Sequence, residues 1–404
     1  MNMSICIIGC GSVGSVMAEQ LSKRDSVDQI KLLDVKPERP KQVKEVLEDN
    51  YEEKTYKTGR VDASKKKSVK NKLKDINVVI NSASPICNIP IMEACLASNT
   101  NYIDLASDPF EYEETKGTTF DKQLELQEKF SGADLLAVTN TGFSPGFTDI
   151  LSKYIIKKES LEHIDYIKVY LGEKILSEKF VMSWSPYIFL MESLLPPTVY
   201  KENKITSPKE DRTKKSFNFS SPIDKINLRI FNGHPELRTI PKYIKKPIDH
   251  IEIAGGYKLN EKSFNEIIIQ ALQKQIKNSR NIEGDIFQIL SKSFEDVSKF
   301  RNFFEKDYIE NEFSEFVFKI KGKNNEGLLK KEIRIDHNLE EVSKDFSLGT
   351  VSSFMVSFVP VIIAEMISDG NIEERGVMAT GGLSNCEEIV MRCQEAGLLE
   401  KSDL

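Results

Sequence analysis

Apolar residues in the first 140 positions come in short β-branched runs separated by mixed, helix-like stretches. The runs are Ile5–Ile8, Ile30–Leu33, Val78–Ile80, Tyr102–Leu105 and Leu135–Val138, and a further short strand is expected to end near Val61-Asp62. Runs this short and this apolar fit strands buried on both faces. Helices are expected from Gly11 to about Lys23, over 41–50, 63–74 and 90–98, and around 121–130. Six strands with helical crossovers predict an α/β fold with a Rossmann-type, doubly wound parallel sheet. Ligands of such sheets bind beyond the carboxyl ends of the strands. That places Gly9, Asp34, Ser82, Asp104 and Asn140 along one edge.

The pattern changes after Lys157. Strands are expected over 165–171, 217–219, 226–230 and 250–254, with helices over 264–276 and 286–304. Residues 201–216 read as a polar, exposed loop. Segments 316–322 and 328–335 flank a glycine-bearing turn and predict a hairpin. Consecutive strands and short turns argue for an antiparallel sheet in a separate α+β domain. The tail predicts a helix to about Ser368, with Pro360 as a kink, and a final amphipathic helix. The expected division is a dinucleotide domain over 1–145, an inserted substrate and dimerisation domain over 146–348, and a tail over 349–404 that returns to the first domain.

The chemistry concentrates at the first turn. Gly9-Cys10-Gly11-Ser12-Val13-Gly14 follows a strand and opens a helix. Gly9 permits the tight turn, Gly11 lets a pyrophosphate approach the backbone, and Gly14 lets helix and strand pack closely. The helix N-terminus offers N–H groups to phosphate. Asp34, twenty residues past Gly14, stands where a ribose-binding carboxylate belongs. A carboxylate there favours NAD, while Lys36 and Arg39 nearby could receive the extra phosphate of NADP.

Composition narrows the classes. The 404 residues carry a net charge of -6, which gives no general attraction to nucleic acid or anionic membrane. The longest apolar run, Phe354–Met366, is interrupted by Pro360 and is short for a bilayer span. The N-terminus enters a strand directly, so no signal peptide is expected. Cys6, Cys10, Cys87, Cys95, Cys386 and Cys393 form no CxxC pair and read as apolar packers in a reducing cytoplasm. Four histidines without a ligand motif predict no catalytic metal.

Several motifs coincide with one family. Gly9–Gly14, Asn81-Ser-Ala-Ser-Pro85, Asn101-Tyr-Ile-Asp-Leu105, Thr141-Gly-Phe-Ser-Pro-Gly146 and Ser183-Trp-Ser-Pro186, with Glu192 and Pro196, resemble the saccharopine dehydrogenase family. That family includes saccharopine reductases, carboxynorspermidine dehydrogenases, homospermidine synthases and lysine 6-dehydrogenases. The resemblance implies a homodimeric oxidoreductase that uses NAD or NADP and acts on the C–N bond of an amino acid or amine. Hydride would pass between nicotinamide and an imine carbon. By position, Gly9, Gly11, Ser12, Val13 and Gly14 would hold the pyrophosphate. Asp34 and Lys36 would meet the adenosine ribose, Asp62 would also bind the cofactor, and Ser82, Ala83 and Ser84 would lie beside the nicotinamide. Asp104 would serve near the reacting nitrogen, with Leu105 against the cofactor. Ser144, Pro145, Trp184, Ser185 and Arg238 would face substrate.

Ser144 departs from the aspartate usual before the Pro-Gly, and a hydroxyl cannot attract an ammonium as a carboxylate does. That favours the lysine dehydrogenase-like branch, or an uncharacterised branch, over the first two. His234 could shuttle a proton, and Glu192, in an apolar helix, needs a partner or a ligand. A dinucleotide-binding protein without turnover, and a dehydrogenase of another substrate class, are the competing readings.

Overall fold

The computed structural model describes residues 3–107, 118–208, 215–278, 285–295, 309–400 and 404. The chain divides into two compact units. The first comprises 1–158, 238–245 and 354–401, and the second 159–237, 246–353 and 402–404.

The first unit begins with β1 (Met3–Ile8), α1 (Ser12–Ser22), β2 (Val27–Asp34), α2 (Glu38–Asn50), β3 (Thr55–Arg60), α3 (Lys66–Lys70) and β4 (Val78–Asn81). It continues with α4 (Asn88–Leu96), β5 (Asn101–Asp104), α5 (Thr119–Leu124), α6 (Gln127–Gly132), β6 (Leu136–Thr139) and α7 (Thr148–Lys158). The expected third helix shrinks to 66–70, and the expected helix around 121–130 breaks into two. Ile5, Ile7, Val79, Ile80, Tyr102 and Ile103 are fully buried. Each such side chain contributes about 1.5–3 kcal/mol by leaving water.

The second unit holds β7 (His163–Leu176), α8 (Pro186–Leu194), β8 (Val199–Lys201), β9 (Lys204–Thr206), β10 (Lys215–Asn218) and β11 (Lys225–Ile230). The helix α9 (Glu236–Tyr243) starts in this unit and continues in the first. Then come β12 (His250–Leu259), β13 (Lys262–Ser263), α10 (Phe264–Asn278), α11 (Ile286–Ser291), β14 (Asn311–Asn324), β15 (Gly327–Asn338) and α12 (Leu339–Asp345). The main path of this sheet runs β10-β11-β12-β7-β14-β15.

Two corrections concern this unit. The sheet is mixed rather than antiparallel, because β12 pairs with β7 in parallel. The long connection between those strands lets the chain re-enter the sheet from the same end. The expected loop over 201–216 instead carries the β8–β9 hairpin and the first residues of β10, with residues 209–214 outside the description. The far end of the helix expected over 286–304 also lies outside the described residues. Tyr170, Phe219, Ile223, Ile226, Leu228 and Val317 form one buried cluster of this unit.

The chain ends with α13 (Val351–Ser368), β16 (Gly376–Ala379) and α14 (Cys386–Glu395). The helix α13 runs on through Pro360 and is long and apolar enough to cross a membrane, but 78% of it is buried inside the protein. The seventh strand, β16, pairs in parallel with β6, giving the order β16-β6-β5-β4-β1-β2-β3. Its glycine has a reason. Gly376 has φ +99, and a Cβ there would meet the Gln127 amide at 2.2 Å. The same amide accepts a hydrogen bond from the Val377 N–H at 2.5 Å. Gly376→Ala should therefore destabilise the chain by about 1–3 kcal/mol, read as a lowered Tm. An unchanged Tm would mean that the strand entry is not strained.

Candidate active site

The glycine turn is built by steric exclusion. Gly9 has φ +100, and a Cβ there would lie 2.7 Å from the Ala83 nitrogen and the Ser82 carbonyl carbon. A Cβ on Gly14 would lie 1.9 Å from the Gly9 carbonyl oxygen. Around Gly11 nothing lies within 4 Å. So Gly9 and Gly14 serve the close approach of strand, helix and neighbouring loop, while Gly11 leaves room for a ligand. No side chain caps α1 at Gly11, so the positive end of that helix has no side-chain cap. Ser12 and Val13 open that helix.

Asp34 closes the turn from the side. Its Oδ2 accepts from the Cys10 N–H and its Oδ1 from the Lys36 N–H, both at 2.8 Å. The carboxylate is buried, and the next residue, Val35, is 54% exposed. Lys36 is exposed. Ser82 donates from its hydroxyl to the Gly9 carbonyl at 2.6 Å, tying the end of β4 to the turn. Ala83 donates its N–H to the Asn81 side chain at 3.0 Å, and Ser84 is exposed just before the 3-10 turn Pro85–Cys87. Ile86 in that turn is 67% exposed. Asp62 interacts locally, where Lys65 at 2.8 Å and Ser64 hold its carboxyl down to about 2.

Asp104 sits at the end of β5 and is 1% exposed. Burial pushes its carboxyl up to about 7, although hydrogen bonds from Asn140, Gln123 and Tyr102 favour the charge. The Leu105 carbonyl accepts from the Gly142 N–H at 3.0 Å. Pro145 is buried and Ser144 half-buried in the segment after β6. Gly146 there has φ +126 and closes on Thr141. Arg238 is half-buried on α9, in the part of that helix that belongs to the first unit.

The remaining candidates belong to the second unit. Trp184 is half-buried and packs edge-on against Phe189, with ring centroids 5.8 Å apart. Ser185 is exposed, and its hydroxyl caps α8 by accepting the Ile188 N–H at 3.5 Å. Glu192, on α8, has no hydrogen-bond or ion-pair partner for its carboxylate among the described residues. Burial raises that carboxyl to about 7; His234 pulls it down and Glu236 pushes it up. His234 and Glu236 are themselves buried and joined through Nδ1.

The sequence reading missed a second acidic group in this unit. Glu312 accepts the N–H groups of Val351 and Ser352 at 3.0 and 3.1 Å, at the start of α13. Glu173 accepts from the hydroxyls of Ser183 and Ser352. Both carboxyls are buried, and the described residues place no cation against them. Burial, then the charge of Glu173, raises Glu312 to about 8; burial also raises Glu173. Their positions in strands of alternating polarity read as solvent-facing.

Comparison with known proteins assigns the class. Residues 5–138 match the family described as saccharopine dehydrogenase NADP binding domain, and residues 142–398 the saccharopine dehydrogenase C-terminal domain. The chain belongs to the saccharopine dehydrogenase family, and its first unit is an NAD(P)-binding domain.

Its relatives carry polyamine names. Carboxyaminopropylagmatine dehydrogenase of Synechocystis is 26% identical over 192 residues, 46% of each chain. Carboxynorspermidine synthase of Vibrio cholerae is 25% identical over 201 residues, 47% of this chain and 48% of that one. The match thus spans about half the length of these curated relatives. Saccharopine dehydrogenase (L-Glu forming) from Saccharomyces cerevisiae shares the fold, with TM-score 0.67 over 98% of both chains and 12% identity. Homospermidine synthase from Legionella pneumophila, solved in complex with NAD, gives TM-score 0.65 over 99% of this chain and 90% of that one, also at 12% identity.

Two outcomes follow from this geometry. Gly14→Ala should lower Tm, whereas Gly11→Ala should leave Tm unchanged yet weaken dinucleotide binding in calorimetry; equal behaviour of the two would refute the division of labour. Glu312 stays neutral in the folded chain up to about 8, while in the unfolded chain it ionises from its ordinary value of 4.5. Its contribution to stability therefore falls as pH rises across that window and levels off above it. Glu312→Gln should flatten the fall, raising Tm relative to wild type more at pH 8 than at pH 5. Parallel Tm curves would show that the group is ionised throughout.

Proposed function

We propose that the chain is an NAD(P)-dependent oxidoreductase that makes or breaks the C–N bond of a cationic amine, with NAD(H) preferred. The observation that carries this reading is the glycine cradle closed by the Asp34 carboxylate. Family membership supports the reaction class. When bound, the nicotinamide supplies the hydride chemistry; the chain supplies position and charge. Gly11 and the uncapped start of α1 would take the pyrophosphate. The Cys10 and Lys36 amides would hold Asp34 ready to accept from the adenosine ribose hydroxyls, and a 2′-phosphate would meet that carboxylate's repulsion. Val35 offers an apolar surface next to the ribose, suited to adenine.

The substrate we infer is a carboxyalkylated polyamine, because two relatives are named carboxyaminopropylagmatine dehydrogenase and carboxynorspermidine synthase and the second unit is rich in buried acid. Glu192, whose carboxylate has no hydrogen-bond partner among the described residues and feels the charges of His234 and Glu236, suits an ammonium group. Trp184 offers an aromatic face for an aliphatic amine. Ser144 points to the lysine branch, whereas Glu192 and Glu236 give the second unit negative charge of its own, which suits an ammonium group. Arg238 would hold a substrate carboxylate by its guanidinium fork. A homodimer acting in the cytoplasm completes the proposal.

The test is turnover of NADH and NADPH with carboxynorspermidine, saccharopine and lysine in either direction. Carboxylated polyamine with NAD(H) should turn over fastest. Glu192→Gln should raise its KM about 10- to 100-fold, as expected for one lost hydrogen bond to a charged group. Turnover of lysine alone would select the lysine branch. Cofactor binding without turnover of any amine would select the dinucleotide-binding protein without chemistry.

A further inference from the structure

Beyond the last paired residues of β5 and β6, Ile103 and Val138, side chains take over the joint between the two strands. Asp104 Oδ1 accepts the Asn140 N–H at 2.9 Å. Its Oδ2 accepts the Gln123 amide Nε2 at 2.5 Å. The Gln123 carbonyl accepts the Ser107 hydroxyl at 2.6 Å. Asn140 then holds Ser107 twice. Its Nδ2 donates to the Ser107 hydroxyl oxygen at 2.9 Å, and its Oδ1 accepts the Ser107 N–H at 2.7 Å. Asp104, Ser107, Gln123 and Asn140 are all between 0% and 3% exposed.

The bonds form one directed chain. A carboxylate only accepts, so the Gln123 NH₂ must face Asp104. The Gln123 carbonyl must then face Ser107, whose proton is committed to it. The same residue also works through its backbone. The Asp104 carbonyl accepts the Thr141 N–H at 2.9 Å and the Thr141 hydroxyl at 2.8 Å. Asn140 sits at φ +56, a conformation that needs such support. Both segments so fixed, 105–107 and 140–145, contain residues expected to border cofactor or substrate.

We propose that Asp104 is a positioning residue. With Gln123, Asn140 and Ser107 it fixes the two strand-end segments against the cofactor, and it exchanges no proton with substrate. Both carboxylate oxygens are engaged by donors of the protein itself, and the group is closed from water. A general acid or base must reach the proton it moves, and reaching out here would break the chain of bonds. This assignment rests on the reading given under Proposed function.

The test is a reciprocal exchange, Asp104→Asn with Gln123→Glu. Asp104→Asn alone sets two NH₂ groups against each other, and Gln123→Glu alone sets two carboxylates together. In the double variant the new amide at position 104 donates to the new carboxylate at position 123, which still accepts from Ser107. The proposal expects each single variant to bind NADH at least about tenfold more weakly, the cost of one spoiled hydrogen bond to a charged group. The double variant should regain wild-type affinity and a kcat within about fivefold of wild type, well short of the 10²–10⁴-fold loss of an acid–base group.

A double variant as inactive as Asp104→Asn, with NADH affinity restored, would make Asp104 a proton-transfer residue and overturn the assignment. Should the double variant not fold, Ser107→Ala decides. Positioning predicts weaker NADH binding, and proton transfer by Asp104 predicts no change. If wild type binds NADH but turns over no amine, the functional reading fails, while the affinities still judge the positioning role. No binding by wild type would overturn both.

Discussion

The first unit depends on one close approach, in which the Gly9 carbonyl, the Gly14 backbone and the Ser82 hydroxyl occupy a space that admits no Cβ. That contact packs α1 against β1 and brings the end of β4 to the same point. Once these three elements meet, the start of α1 faces the carboxyl edge of the sheet, and Asp34 at the end of β2 reaches the turn through the Cys10 N–H. Binding geometry here is a consequence of packing. The glycine with no packing role, Gly11, is the one left open to a ligand.

The carboxyl edge is held by a different means on its other side. Between β5 and β6 the main-chain ladder stops early, and buried polar side chains replace it. Such a network is stable only when every member is satisfied, which ties the identity of each residue to its neighbours. The second unit handles buried charge in another way. Glu173 and Glu312 rest on hydroxyls and helix N–H groups and have raised carboxyls. Glu192 has no protein partner for its carboxylate among the described residues. Groups of the first two kinds hold structure, whereas a carboxylate with no partner is suited to a ligand.

Much of the fold could be read in the sequence where periodicity and turn chemistry agree. The strands β1, β2, β4, β5 and β6 are short, largely apolar runs ended by polar residues, whereas β3 is mostly polar, and the glycine spacing carries its own steric logic. The strand β16 escaped notice because it is four residues long, opens on a glycine and pairs with a strand far away in the chain. The parallel β7–β12 pair was hidden for a related reason, since strand direction is set by the connection and not by composition. Gln123 reads as one polar residue of a charged helix, and Glu173 and Glu312 as the wet face of strands; only tertiary packing buries them. Ser185 shows the opposite case, a motif residue whose hydroxyl serves as a helix cap.

The central claim is that the cradle closed by Asp34 binds a nicotinamide dinucleotide and favours the one without a 2′-phosphate. Isothermal titration of the full chain with NADH and then with NADPH tests it most directly. The account predicts one site per chain, with NADH bound more tightly. Tighter binding of NADPH would contradict the role given to Asp34, and no heat from either would contradict the cradle itself.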